Sequence, residues 1–404
     1  MAPAATIGER MPEHRVLLIE PFIYHADIAR EVCRSLAEQG AEVIVLTAAG
    51  PDNADWPGAL HVLDTWLALE SGPDPAWMHG RLNPLPKVRA LARIRSHSRS
   101  GAKALGLAML GFDADRIVMT TSDPLDLFGF RAAGRTDALS LAMVHDPPRG
   151  RSSRVAARRI TRNVGRQRRR TWLGCITPGM RELYIAAGAD PNGVLVVPNP
   201  AVQSTPSEAA IPLGQRRLRL SYPGNGRREK GFDFFASAVP KLLTEFDVAA
   251  QCYQRGDEPA SVAEAARMLH EIDSPRLDLV GGSLSRDDYE ALVADSMAVV
   301  LPYRPDAYAQ GRISAVLPEA WAAGVPVIVS DGWWGADLVR THGGGAIFNF
   351  GDELDLMRAA RDVRDNLERM AAEAAAAYEA LLEDAGPYAF ARFVLDLTPG
   401  QTGT

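Results

Sequence analysis

Leu218–Phe232, LRLSYPGNGRREKGF, is the stretch that decides how this chain folds. A short strand, Leu218–Leu220, leads into a loop holding Gly224, Gly226 and Gly231 beside Arg227, Arg228 and Lys230, and a helical pattern follows. Glycines let backbone N–H groups approach an anion closely, and a helix N-terminus adds a partial positive charge. Lys230, with Arg227 or Arg228, is placed to neutralise a diphosphate. The competing reading is a solvated basic loop between strand and helix.

The same alternation runs outward in both directions. Downstream, Val248–Tyr253, Leu277–Val280, Ala298–Leu301 and Val325–Val329 read as strands separated by helical patterns. Upstream, Val16–Ile19 is too short for a helix and suits a buried parallel strand. An amphipathic pattern follows from Ile28 to Gln39, with Ile28, Val32, Leu36 and Ala37 on its apolar face, and Gly40 stops it before Val43–Leu46. Further strands are expected at Ile117–Met119, Ala138–Val144, Trp172–Thr177 and Val194–Val197. Residues 75–112 read as helical, a candidate acceptor-side insert. Residues 351–384 read as one long helix, and Tyr388–Leu397 as a last one.

Between the two series lies PNPAVQSTPSEAAIPLG, Pro198–Gly214, whose Pro, Ser and Ala content marks a linker. Two βα series joined by a linker imply an α/β protein of two doubly wound, Rossmann-like domains facing a central cleft. The expected division is 1–204, 205–385 and a C-terminal helix at 386–404. Ligands in such domains sit at the C-terminal ends of strands.

Composition narrows the function. The 404 residues carry 50 acidic and 44 basic side chains, a net charge of −6, which argues against wholesale nucleic-acid binding. No apolar run is long enough to span a membrane, and the N-terminus, with Glu9 and Glu13, lacks the apolar region of a secretory signal. Cys33, Cys175 and Cys252 are far apart in apolar contexts, so they read as buried hydrophobes in a reducing cytoplasm. Asp113-Ala114-Asp115 has the acidic spelling of a metal site but immediately precedes a strand, and reads as a turn; no metal is expected.

A second constellation is Gly311–Ile328, GRISAVLPEAWAAGVPVI. Gly311 precedes a short helix, Glu319 sits on it among apolar neighbours, and Gly324 ends it before a strand. Backbone amides at Ile313, Ser314 and Ala315, with Arg312, suit a phosphate. A carboxylate one turn on suits a ribose diol, because it can accept two hydroxyl hydrogen bonds.

On these two segments the chain resembles the retaining glycosyltransferases of family 4, which have the GT-B fold. Their second domain carries a Gly-Arg…Glu-Lys-Gly loop, then two glutamates separated by seven residues before Ala-x-Ala-x-Gly-x-Pro-Val. Gly224…Glu229-Lys230-Gly231 and Glu319-Ala320…Ala323-Gly324-Val325-Pro326-Val327 match, as do Val280-Gly281-Gly282, Tyr289 and Leu301-Pro302. The resemblance is clear over about 215–345 and weaker before it, and it implies that the C-terminal helix at 386–404 crosses back to the first domain. It implies a metal-independent hexosyltransferase that takes a sugar from a UDP- or GDP-linked donor and passes it, with retention, to a saccharide or lipid-linked acceptor. It further implies that Lys230 and Glu319 act in catalysis, and that Gly224, Asn225, Arg227, Arg228, Gly282, Leu284, Arg312, Ile313, Ser314 and Ala315 hold the donor. Two positions depart from the pattern: Asn225 stands where the family has a phosphate-binding arginine, and Gly311 where it has the first glutamate, commonly placed against the donor sugar. A nucleotide-sugar epimerase on the same fold, or a binding protein without turnover, are the alternatives.

In the first domain the resemblance points to His145, at a strand end in VHDPP, as the histidine near the transferred sugar, and to Tyr24, His25 and Asp27 on the acceptor side. Arg149–Arg170 holds ten arginines and no acid. It reads equally as an anionic-membrane surface for peripheral attachment at the inner face or as a solvated basic helix.

Overall fold

The computed structural model describes residues 13–20, 26–47, 56–63, 113–120, 137–145, 147–148, 154–155, 157–158, 161, 170–202, 211–252, 259–308 and 311–402. The chain divides into two compact units, residues 1–200 with 387–404, and residues 201–386.

Among the described residues the first unit is built on seven parallel strands: β1 (Arg15–Glu20), β2 (Glu42–Thr47), β3 (Ala59–Leu63), β4 (Arg116–Met119), β5 (Leu139–Val144), β6 (Thr171–Cys175) and β7 (Val194–Val196). Their order is β3-β2-β1-β4-β5-β6-β7. Val16, Leu17, Leu18 and Ile19 are all buried, so β1 is covered on both faces, which is why it reads as a continuous apolar run. Helix α1 (Ala26–Glu38) buries Ala29, Val32, Cys33 and Leu36; the expected members Ile28 and Ala37 flank this stripe half-buried. Strand β6 stops at Cys175, short of the expected Thr177, because Thr177 caps α2 (Pro178–Ala186), its hydroxyl accepting from the Met180 N–H at 3.1 Å. Asp115 leads into β4 as a turn residue, accepting from the Arg15 N–H at 3.1 Å.

Among the described residues of the second unit six parallel strands form its sheet: β8 (Arg219–Tyr222), β9 (Asp247–Gln251), β10 (Leu277–Val280), β11 (Ala298–Leu301), β12 (Val327–Ser330) and β13 (Gly345–Phe348), in the order β10-β9-β8-β11-β12-β13. Its helices are α3 (Phe232–Leu242), α4 (Ala260–His270), α5 (Arg286–Ala294), α6 (Pro305–Tyr308), α7 (Val316–Ala322), α8 (Trp334–His342), α9 (Glu353–Asp365) and α10 (Leu367–Asp384). Both sheets are therefore doubly wound. The chain turns back at β1/β4 in one and at β8/β11 in the other, and in such sheets the crevice for ligands opens at that reversal, beyond the strands' C-terminal ends.

The structure differs from the sequence reading at several elements, and three of the differences have local causes. β3 and β13 lie where the sequence pattern predicts no strand. β13 opens on a glycine, Gly345, because the sheet leaves no room for a side chain there: a Cβ would lie 2.2 Å from the Val327 carbonyl oxygen. The single helix expected over 351–384 is two helices broken at Asn366, which adopts φ −122°, ψ 25° and turns its side-chain amide to the Asp362 carbonyl at 3.0 Å and carboxylate at 2.9 Å. β12 begins at Val327 rather than Val325, since Gly324, at φ +62°, is still completing the turn.

The last helix, α11 (Gly386–Leu395), packs with the first unit. The Arg116 guanidinium donates to the carbonyls of Val394, Leu395 and Leu397, satisfying groups a helix end leaves open, and Trp172 Nε1 donates to the Gln401 carbonyl at 2.9 Å. No helix among the described residues is long and apolar enough to cross a membrane.

Candidate functional site

In the second unit the loops leaving β8 and β11 meet at the sheet's reversal. Gly224 leaves β8 with φ +99°, and its N–H donates to Gln251 Oε1 at 2.7 Å. Gln251 closes β9, is buried, and donates from Nε2 to the Gly282 carbonyl at 3.0 Å, so one side chain ties together the loops after β8 and β10. Leu284 is half-buried in the second of these loops. The Asn225 carbonyl accepts from the Tyr222 hydroxyl at 3.4 Å, Arg227 pairs with Glu229 at 3.4 Å, and Arg228 is exposed.

Residues 227–231 wind into a turn that brings Lys230 back over the strand end. Its ammonium lies 3.4 Å from where a Gly224 Cβ would stand and 5.8 Å from the centre of the Tyr303 ring. Gly231 N-caps α3 in the left-handed region, φ +68°, pressed against the chain leaving β11: a Cβ would fall 1.8 Å from the Pro302 carbonyl oxygen. Only glycine fits both demands.

Beyond β11, the Tyr303 hydroxyl meets Ser314 Oγ at 3.1 Å, both side chains buried. Helix α7 starts at Val316 with Ala315 as its N-cap, so of the expected helix amides those of Ile313 and Ser314 lie before the helix, in the non-helical backbone Arg312–Ser314. Glu319 lies in the first turns of α7, and two residues of α5 hold it. Tyr289 donates its hydroxyl to Oε2 at 2.6 Å, and Arg286 reaches Oε1 at 3.4 Å. Burial raises the Glu319 pKa, against the opposing pull of Tyr289, Arg286 and Lys230. Burial likewise keeps the Tyr289 hydroxyl protonated, a donor for Glu319. A depression lined by Arg286, Tyr289, Glu290, Glu319 and Ala323 opens beside the carboxylate.

In the first unit, β1, β4 and β5 deliver three groups to their C-terminal ends. Glu20 is fully buried and accepts from the Thr120 hydroxyl at 2.5 Å; the Thr120 carbonyl lies 3.0 Å from His145 Nε2. A carbonyl only accepts, so Nε2 carries a proton. Asp27, at the start of α1, is exposed and pairs with Arg30 at 2.6 Å. Tyr24, His25 and most of Arg149–Arg170 lie outside the described residues. Within that stretch Arg158 donates to the Ala187 carbonyl at 3.0 Å, and Arg170 to the Asp137 carbonyl. No cluster of metal-ligating side chains occurs among the described residues.

Residues 217–366, which contain the whole β8–β11 site, match the family of glycosyl transferases group 1. The second unit is a group 1 glycosyltransferase domain. The complete chain shares its GT-B fold with solved structures at low identity. Sucrose-phosphate synthase from Thermosynechococcus elongatus superposes with a TM-score of 0.65 at 15% identity, over 94% of this chain and 97% of that one. An Escherichia coli trehalose-6-phosphate protein bound to UDP-2-fluoro glucose gives 0.66 at 14%, over 95% and 100%. Anabaena HepE in complex with UDP gives 0.63 at 14%, over 94% and 98%. No curated protein matches the sequence.

Within the glycosyltransferase domain, the two departures have definite geometry. Gly311 is buried at φ +78°, a backbone conformation that a glutamate would occupy only under strain. Asn225 is half-buried beside Lys230's loop. Site residues absent from the sequence reading include Gln251, Arg286 and Tyr303 in the second unit and Glu20 and Thr120 in the first. Gln251 and Glu20 share a signal, since each is a polar residue that directly follows a buried apolar run and closes its strand.

Proposed function

We propose that the chain moves a hexose from a nucleoside diphosphate sugar, UDP- or GDP-linked, to a saccharide or lipid-linked acceptor with retention of configuration. The observation that carries this reading is the pair Lys230 and Glu319, held by Tyr303 and Tyr289 on either side of the β8/β11 reversal. Lys230 would neutralise the leaving diphosphate, with the backbone of Gly224–Gly226 and Arg312–Ser314 beside it. Glu319 would accept the ribose hydroxyls. The UDP and UDP-sugar complexes of the structural neighbours support a uridine donor.

Retention follows if the leaving diphosphate takes the proton of the acceptor hydroxyl on the same face of the sugar. The protein's task is then to orient the reactants and stabilise charge, which requires no nucleophilic side chain. His145, its Nε2 proton held on the Thr120 carbonyl, is assigned to the transferred sugar. Work at the inner membrane face, with Arg149–Arg170 against anionic lipid, belongs to the same proposal. A second reading, donor binding without transfer, is favoured by the absent side chain at Gly311.

The test is to supply UDP- and GDP-hexoses with saccharide and lipid-linked acceptors and to read the new linkage by NMR. A product with the donor's anomeric configuration supports the proposal. An inverted product would refute retention, and tight donor binding with no product from any acceptor would favour the second reading.

A further inference from the structure

We infer that Tyr303 is a positioning residue that sets the two phosphate-facing segments of the donor site, the Lys230 turn and the Ser314 segment, at a fixed separation. This rests on the donor-site reading above and adds to it a residue outside the matching motifs.

Tyr303 stands at the exit of β11, between the two segments, and touches both with different parts of one side chain. Its ring underlies the Lys230 ammonium at 5.8 Å, within cation–π range. Its hydroxyl meets Ser314 Oγ at 3.1 Å in a fully buried contact. Burial pushes its pKa well up, so the hydroxyl stays neutral and able to donate. With Tyr303 donating to it, Ser314 Oγ can direct its own proton elsewhere.

The side chain has little freedom to do anything else. Tyr308 packs against the ring at 4.4 Å and Trp333 at 4.9 Å, centre to centre, and the Ser330 hydroxyl donates to the Tyr303 carbonyl. The adjoining backbone is anchored to the Lys230 turn on both sides. The Pro302 carbonyl abuts Gly231, and the Arg304 N–H donates to the Glu229 carbonyl at 3.0 Å. A rigid aromatic wedge between two anion-facing segments preorganises them for one phosphate spacing, so that binding does not have to order them.

The experiment compares a nucleoside diphosphate with its nucleoside, UDP with uridine (GDP with guanosine if the wild type takes GDP), by calorimetric titration. The full-length wild type, Tyr303→Phe, Ser314→Ala and the double variant are titrated. A positioning role acts on the phosphates alone. Tyr303→Phe should weaken UDP about 3- to 10-fold, the worth of one buried hydrogen bond, and leave uridine unchanged. Ser314→Ala should weaken it similarly, and the double variant should lose less than the product of the two. Tyr303→Leu, which also removes the ring beneath Lys230, should weaken UDP further with uridine still bound.

Equal weakening of UDP and uridine in Tyr303→Phe would mean a merely structural role and overturn the inference. So would fully multiplicative losses, or an unchanged UDP affinity. If the wild type itself binds UDP and GDP no better than their nucleosides, the donor-site reading falls and takes this inference with it. A wild type that prefers the diphosphate, with the preference intact in Tyr303→Phe, sinks this inference alone.

Discussion

Replacing Gly231 by alanine tests the packing on which the site depends. The added Cβ would lie 1.8 Å from the Pro302 carbonyl oxygen, 2.9 Å from its carbon and 3.1 Å from a Phe350 ring carbon. Such contacts do not close below 3.0 Å, so the two backbones must part by about 1.2 Å, the difference between 3.0 and 1.8 Å. The residue must also hold φ +68°, where an L side chain costs about 1–2 kcal/mol. Overpacking adds about 1–3 kcal/mol, giving about 2–5 kcal/mol in all. For a unit of this size that lowers Tm by about 4–20 °C. The assay is calorimetric unfolding of the full chain, following the transition of residues 201–386. Gly281→Ala is the control, because a Cβ there meets nothing within 4 Å and its φ is not positive. A Gly231→Ala variant within about 1 °C of that control would refute the close approach of the β8 and β11 loops.

Glu319→Gln should separate stability from binding. Burial raises the folded-state pKa of Glu319, so its contribution to stability is full below the unfolded value of about 4.3 and is lost as pH rises through the folded value. The Tm of the wild type relative to Glu319→Gln should therefore fall as pH climbs above about 4.3 and then level; a constant or rising difference contradicts the burial argument. Nucleotide affinity at neutral pH should drop about 10- to 150-fold in the same variant, a charge-assisted hydrogen bond lost. Burial pushes the Cys33 thiol up to about 12 and raises Cys175 as well. A thiol reagent at pH 8 should therefore label neither in the native chain and both after denaturation, by mass spectrometry; native labelling of Cys33 at the denatured rate would refute its burial.

Much of the fold is legible in the sequence because parallel strands covered on both faces must be apolar throughout. Val16–Ile19, Val43–Leu46 and Ala298–Leu301 announce themselves for that reason. What escaped lacks that signal. β13 contains a glycine that only the neighbouring strand's carbonyl explains, and the α9–α10 break rests on a single asparagine turning to its own helix. At the site, glycines and charges at motif spacing marked Gly224, Lys230 and Glu319. The partners that aim them were not legible, because Tyr289 meets Glu319 across 30 residues of sequence and Gln251 meets Gly224 across 27. Such pairs exist only once α5 lies beside α7 and β9 beside β8.

The donor site itself is tested most directly by titrating UDP, GDP, ADP and dTDP into the wild type and Lys230→Ala. One nucleotide should bind the wild type, and the variant should bind it about 10- to 150-fold more weakly, the worth of a charge-assisted contact to phosphate. Equal affinity in both proteins, or no binding by the wild type, would contradict a diphosphate held at the β8/β11 reversal.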